Sequence, residues 1–422
     1  MSAPTADVDT RAAEIQRLRE WVLILLVVTI PIAAGTVIWS SPGGAHDFNR
    51  RVSIRPFDIA LVFLVALWIV DLRRPRDPLW VGRWTKWIAS ALGIAFVVAF
   101  VVHPSPRGID FGFRVVAALA TLDAIVRLSQ PARRRVLTAI VAAGAAEAII
   151  SMAESVHGGT VGLKLLEFEG FFYSFGTSTA GHAGFDHPYG LACFLLVTLS
   201  AALVGALRSD RRGPWLVGAA VIAMGLATTY SRAALISLVI MLVVAVVGGR
   251  RSEARSTRRR YAAVVAGAFF VGVLAFGNGW FARAESTTAP GASASDIGTG
   301  RTERFREALR LVKKEPIFGV GPGRYTIALE SVPYGELLPA HDAMLHEAAE
   351  AGVVGGVLTA ALLLALALDA CRAGANTMIV FGSILMFFLV DSYPYVFPAG
   401  IAFAGLWLGL QHLASEPLPA HD

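Results

Sequence analysis

The chain has 422 residues, of which 55% are hydrophobic and only 16% charged, and its mean hydropathy is +0.61. So few charges cannot cover a soluble domain of this size, which leaves apolar runs of membrane length as the explanation. A net charge of +6 would suit nucleic acid, but the arginines fall in short clusters between apolar runs. That is the positive-inside pattern of a polytopic membrane protein, not a basic groove, and no nucleic-acid partner is expected. Cys193 lies inside one apolar run and Cys371 at the end of another, so neither a disulfide framework nor a thiolate metal site is implied.

Residues 1–20 are polar and mixed in charge and are expected to form a cytoplasmic terminus. The run WVLILLVVTIPIAAGTVIW that follows lacks a small-residue cleavage site and reads as a retained first span. Apolar runs of membrane length recur near 21–39, 57–71, 87–103, 110–127, 136–156, 187–207, 214–230, 233–248, 261–281, 342–368, 375–391 and 395–413, about twelve in all. The fold expected is therefore all-α and polytopic. Spans 1–9 occupy 21–281, a large helical outer loop 282–341, spans 10–12 occupy 342–413, and a cytoplasmic terminus 414–422. Basic loops follow spans 2, 4, 6 and 8 (DLRRPRDPLWVGRWTK, RLSQPARRR, RSDRR and GGRRSEARSTRRR) and face the cytoplasm by the positive-inside rule. Both termini then lie on that side. Arg50, Arg51 and Arg55, in the first outer loop, break the rule.

Two outer loops are long. One covers about 157–186; the other begins with the flexible composition ESTTAPGASASDIGTG and continues as RTERFREALRLVKKE. In that second stretch Phe305, Ala308, Leu309 and Val312 recur at helical spacing before Pro316 stops the helix and PIFGVGPGRY turns the chain. The glycines of this turn follow a helix, not a strand, so they lack the context of a dinucleotide or phosphate loop.

Three outer features could carry chemistry. Arg232 in TTYSRAAL either snorkels to headgroups or lines a cavity, because the membrane excludes an arginine without a partner. Arg301 opens the outer helix, where backbone N–H groups and the helix dipole favour anions, while Arg306 and Arg310 read as a solvated face. Paired guanidinium groups at Arg232 and Arg301 would clamp a diphosphate. His341, just after Pro339, lies at the outer end of span 10 and either caps that helix or acts as a base near neutral pH. His346 and Glu350 are four residues apart and face each other, and Glu347 needs a polar cavity or partner. His182, Asp186 and His187 lack zinc-type spacing, so no metal is expected.

In order and placement, GRTERFREALRLVKKEPIFGVGPGRY followed by AHDAMLHEAAEAGVVGGVL resembles the signature of the O-antigen ligase and polymerase superfamily. TTYSRAAL resembles its serine–arginine segment and HPYGLACFL its proline-led span start, so the likeness covers roughly residues 185–400. Two positions depart from it: Phe305 replaces the usual tryptophan, and Asp342 the usual asparagine. The resemblance implies a GT-C-like membrane glycosyltransferase without cofactor. Such an enzyme moves a glycan from a polyprenyl (undecaprenyl) diphosphate carrier to an acceptor hydroxyl, such as that of lipid A-core, on the outer face of a bacterial cytoplasmic membrane. It further implies an inverting, metal-independent displacement in which His341 is the base and Arg232 and Arg301 hold the diphosphate. Arg304, Arg324, Asp342, Glu347 and His187 are the accompanying candidates for binding diphosphate or glycan. A polymerase would use the same chemistry. A non-catalytic transporter of lipid-linked glycan is the alternative from another class, and Asp123 and Glu147 within spans are its best support, unless they merely bond helix to helix.

Overall fold

The computed structural model describes residues 5–32, 34–41, 51–72, 79–163, 172–248, 252–288, 301–329, 339–391 and 393–417. The apolar runs fall on helices, apart from the end of the first. In chain order these are α1 (Thr5–Thr29), α2 (Pro56–Asp71), α3 (Arg83–Val102), α4 (Pro106–Val126), α5 (Gln130–His157), α6 (Pro188–Leu207), α7 (Gly213–Ala227), α8 (Arg232–Val247) and α9 (Ser252–Ala275). There follow α10 (Gly277–Thr288), α11 (Arg301–Lys314), α12 (Tyr325–Ala328), α13 (Ala343–Ala373), α14 (Ala375–Val390), α15 (Tyr393–Val396) and α16 (Pro398–Ser415). Among the described residues, four helices (α3, α5, α6 and α13) are long and apolar enough to cross a membrane, or five if α9 and α10 count as one broken span. Shorter apolar helices include α7, α8 and α14. The chain is a multi-pass helical membrane protein.

Helix starts are local chemistry. Proline sits in the first turn of α2, α4, α5, α6, α7 and α16, where its missing N–H leaves nothing unsatisfied. Ser105, Ser231 and Asp342 each accept a hydrogen bond from a first-turn N–H, which satisfies a donor the helix itself cannot.

Packing centres on α6, whose apolar window is entirely buried. It touches α5, α7, α14 and α16, while α14 packs on α8 and α16 on α4. Small residues permit this closeness: a Cβ on Gly144 of α5 would collide with Thr198 of α6.

Two sequence expectations change, for the first apolar run and for 261–281. The first apolar run does not stay helical to 39; α1 ends at Thr29, and Thr36–Ser40 (β1) pairs antiparallel with Arg51–Ile54 (β2). A second hairpin, Ser174–Phe175 (β3) with Ser178–Thr179 (β4), is shorter still. The polar N-terminal stretch is helical from Thr5, continuous with the first apolar run, and pins itself to the bundle through Arg19–Asp71 and Glu20–Arg135 ion pairs. The run 261–281 is broken: α9 and α10 meet at a 77° bend.

Arg55, Asp123 and Glu147, charges that broke sequence rules, have partners. Arg55 pairs with Asp186 at 3.2 Å, and the Arg51 carbonyl accepts from Arg107 at 3.3 Å; Arg50 lies outside the described residues. Asp123 pairs with Arg127 at 2.8 Å. The Glu147 carboxylate accepts the Gly184 N–H at 3.0 Å, and Glu154 those of His182 and Ala183, each at 2.8 Å. These α5 carboxylates hold a loop against the bundle, where Ala183 is bent to φ 48°. The groups that offered support for a transporter therefore have structural work.

Candidate functional site

The end of the bundle that carries the C-terminus of α5 and the N-termini of α6, α8 and α13 gathers most of the candidate residues. His187 precedes α6 and accepts the Tyr189 N–H at its Nδ1, 3.0 Å away. Its ring lies 4.5 Å from that of Tyr173 and 4.4 Å from that of Tyr189. Burial pushes its pKa down to about 4, and the charges of His341, His182 and Arg283 push the same way against Asp186. With Nδ1 accepting, the neutral ring carries its proton on Nε2, so His187 is a hydrogen-bond donor rather than a base at neutral pH.

Arg283, on α10, was not a sequence candidate. It is buried, lies 4.4 Å over the Phe175 ring and donates to the Tyr189 hydroxyl at 2.8 Å. The sequence signal for it was an arginine just inside the loop expected on the outer side, where arginines are disfavoured. Phe175 in turn meets Tyr230 edge-on at 5.6 Å, two residues before Arg232. Tyr230 adopts φ 49° and donates to the Phe276 carbonyl at 3.2 Å, so the α9–α10 bend is locked to the start of α8. Arg232 is half-buried as the first residue of α8, behind the Ser231 cap. A continuous set of rings and cations thus runs from the Arg232 segment through Arg283 to His187.

The second half of the site is built on a kink. α13 is interrupted at Ala351 and Gly352, where Gly352 has φ 74° and ψ 176°, backbone space that suits glycine alone. The kink releases two carbonyls. The glycine turn docks on them: Val320 N–H bonds Ala349 O at 2.8 Å, Gly321 N–H bonds Glu350 O at 2.9 Å, and Val353 N–H returns to Pro316 O at 2.9 Å. The Glu350 carboxylate then accepts the Gly323 N–H at 2.7 Å and the Tyr325 N–H at 3.0 Å, with His346 Nε2 3.5 Å away. The turn therefore does form an anion cradle, but its anion is the protein's own glutamate. His346 is held between Tyr325, at 4.9 Å, and Tyr395, at 5.3 Å.

This docking carries α11. Ala308 and Leu311 bury against Val320, Tyr325, Leu329 and Ala349, whereas Phe305 and Leu309 are exposed. The helix is therefore turned from the face expected by spacing: Ala308 and Val312 face inward, Phe305 and Leu309 do not. Arg304 faces inward and pairs with Glu307 at 3.5 Å, and its carbonyl accepts from the Tyr325 hydroxyl at 3.4 Å. Arg306 and Arg310 are exposed. Arg301 begins α11, but its side chain lies outside the described residues, and Arg324 is half-buried at the start of α12.

His341 is half-buried in the segment entering α13. The helix cap is not His341 but Asp342, whose Oδ1 accepts the Leu345 N–H at 2.7 Å. Burial raises the Asp342 pKa, against the backbone N–H groups of Leu345 and Met344 that lower it. The Tyr395 hydroxyl donates to Ala340 O at 3.0 Å, immediately before His341. Glu347 is buried, and its Oε2 has no hydrogen-bond partner among the described residues. A polar cleft between the ends of α4 and α13 is lined by Arg107, Asp110, His346, Glu350 and Tyr395. His182 packs against Phe172 at 4.2 Å, and Asp186 is engaged by Arg55 and the Tyr393 hydroxyl, so these two and His187 each have separate roles.

Fold and site together define a multi-pass helical membrane protein with a cluster of cations, histidines and buried carboxyls at one end of its bundle. Residues 216–360 match the family model described as O-Antigen ligase. The resemblance to the O-antigen ligase and polymerase superfamily is thereby supported over that stretch, which includes Arg232, Arg301, the glycine turn, His341 and Glu350. A comparison with curated proteins finds no match.

Proposed function

We propose that this protein is a glycosyltransferase of the O-antigen ligase type, moving a glycan from a polyprenyl-diphosphate carrier to an acceptor hydroxyl. The observation that carries the reading is the O-antigen ligase match over residues 216–360, a stretch whose Tyr230 meets Phe175 of the Arg283–His187 cluster and whose His341 charge acts on His187. In this reading the bundle crosses a bacterial cytoplasmic membrane about twelve times, with both termini in the cytoplasm and the site on the outer side.

His341 takes the proton of the acceptor hydroxyl as its oxygen attacks the anomeric carbon. The bond from that carbon to the carrier phosphate breaks, and the diphosphate leaves with the electron pair. Arg232 and Arg301 stabilise the charge gathering on it, with Arg304 and Arg324 in support. Attack opposite the leaving group inverts the anomeric configuration. His187, held neutral by burial, donates from Nε2 to a glycan oxygen. Asp342 and Glu347 line the acceptor side.

The test is transfer by purified protein in detergent from a polyprenyl-diphosphate oligosaccharide, with and without EDTA, alongside His341→Ala, Arg232→Ala and Arg301→Ala. Transfer that persists in EDTA and is lost in well-folded variants is the expected result. Carrier left intact with every acceptor offered, while the variants behave as wild type, would refute the reading. Growth of the glycan on its own carrier, rather than transfer to a second acceptor, would identify a polymerase.

A further inference from the structure

The far end of the bundle holds a second feature that the transfer reaction does not use. There the start of α5, the end of α6, the start of α7 and the end of α16 enclose an open groove. Its lining divides sharply by chemistry. The floor is apolar, made by Leu137 and by the Trp215 indole, which lies flat across Gly205 where a Cβ would strike the ring. The rim is Arg133, Arg134, Arg135 and Arg208.

The rim is not neutralised. Arg133 grips Glu416 with two bonds of 2.7 and 2.8 Å, and Arg208 shares the same carboxylate at 3.1 Å. His412 lies 3.3 Å from it as well, so one glutamate serves two arginines and a histidine. Arg135 pairs with Glu20. Arg134 is exposed and has no acidic partner among the described residues. Among the described residues, four arginines therefore face two carboxylates. The paired ones are fixed in place, and Arg134 projects at the mouth. An apolar floor at the end of membrane-crossing helices, rimmed by surplus fixed cations, is complementary to one kind of neighbour: a molecule with acyl chains and an anionic phosphate head.

We propose that this groove is a binding site for an anionic phospholipid, whose phosphate meets Arg134 and the Arg133–Arg208 pair while an acyl chain lies along Leu137 and Trp215. Tryptophan suits that position because its ring is apolar and its N–H is polar, matching the boundary between chain and headgroup. The assignment does not depend on the transfer reaction.

The experiment titrates phosphatidylglycerol into the full-length protein in phosphatidylcholine bicelles, reading bound lipid by native mass spectrometry and stability by thermal shift. Arg134→Glu is compared with Arg260→Glu, which makes the same charge change at an exposed arginine of α9 outside the groove. Reversing one interfacial charge at the site should weaken phosphatidylglycerol binding by about tenfold or more, whereas Arg260→Glu should leave it within about twofold. Arg134→Gln, a milder change, should fall between wild type and Arg134→Glu. Equal losses in the Arg134→Glu and Arg260→Glu variants would show a general surface attraction and overturn the groove. Phosphatidylcholine competing as well as phosphatidylglycerol would overturn the anionic assignment. Glycerol phosphate giving the same thermal shift as phosphatidylglycerol would reduce the site to one for phosphate without a lipid.

Discussion

Replacing Gly352 by alanine tests the joint between the glycine turn and α13. The residue sits at φ 74° and ψ 176°, a conformation costing an L-residue about 1–3 kcal/mol. The added Cβ would collide with the Ile317 carbonyl oxygen, which is backbone and cannot swing aside. The turn must then lift from the kink, giving up the Val320–Ala349, Gly321–Glu350 and Val353–Pro316 hydrogen bonds. At about 0.5–1.5 kcal/mol each, that loss amounts to roughly 1.5–4.5 kcal/mol. Because about 1.4 kcal/mol is a tenfold change in equilibrium, opening of this joint should become at least about tenfold more populated. Hydrogen exchange followed by mass spectrometry on peptides covering 316–325 and 349–353 should show that faster exchange, with α6 unchanged. Unaltered protection at those amides would refute the account of the kink. Uniform deprotection of the whole bundle would show instead that the joint is not a separable unit.

Glu154→Ala should strand the His182 and Ala183 N–H groups, lowering stability by about 2–6 kcal/mol at roughly 1–3 kcal/mol per donor, measured as the fall in Tm in detergent. His187 has its pKa depressed to about 4 in the fold, against about 6.5 when unfolded. Its contribution is therefore complete above pH 6.5 and is lost as pH falls from there towards 4. His187→Asn keeps a cap but does not titrate, so its Tm should vary less than the wild type's across that window. Tyr395→Phe removes the bond to Ala340 O and should lower the transfer rate about tenfold with little change in donor KM; an unchanged rate would mean that His341 is held by other contacts.

The helical frame was legible because apolar length is a local property: the runs found by counting lie on helices, except for the end of the first, which is strand. What failed was also local in origin. The letters TVIW continue an apolar run, yet Pro31 lies between them and α1, and their strand partner Arg51–Ile54 follows later in the chain. The arginine exceptions were unreadable for a different reason. Arg55 finds Asp186 across 131 residues, and no window of sequence contains both. Phe305 and Ala308 look equivalent by spacing, but docking on the kink buries only Ala308. Arg232 was noticed as a cation at a membrane span, Arg301 as the residue that opens a helix, and His341 as a titratable group at a span's end. Arg283 was hidden by its place at the loop boundary, since its importance comes from the 77° bend that swings α10 over the α6 entrance.

The kink in α13 has a consequence for how parts of the chain can change length. Upstream of Gly352, the segment carrying His346, Glu347 and Glu350 is bonded to the glycine turn, and just downstream the Val353 N–H returns to Pro316 O at the start of that turn. One added residue between Pro316 and Gly323 would throw three amides out of step with their acceptors, and Glu350 would lose its cradle at the same moment. Two stretches far apart in sequence are thus obliged to keep a common count, as two threads of one screw must share a pitch.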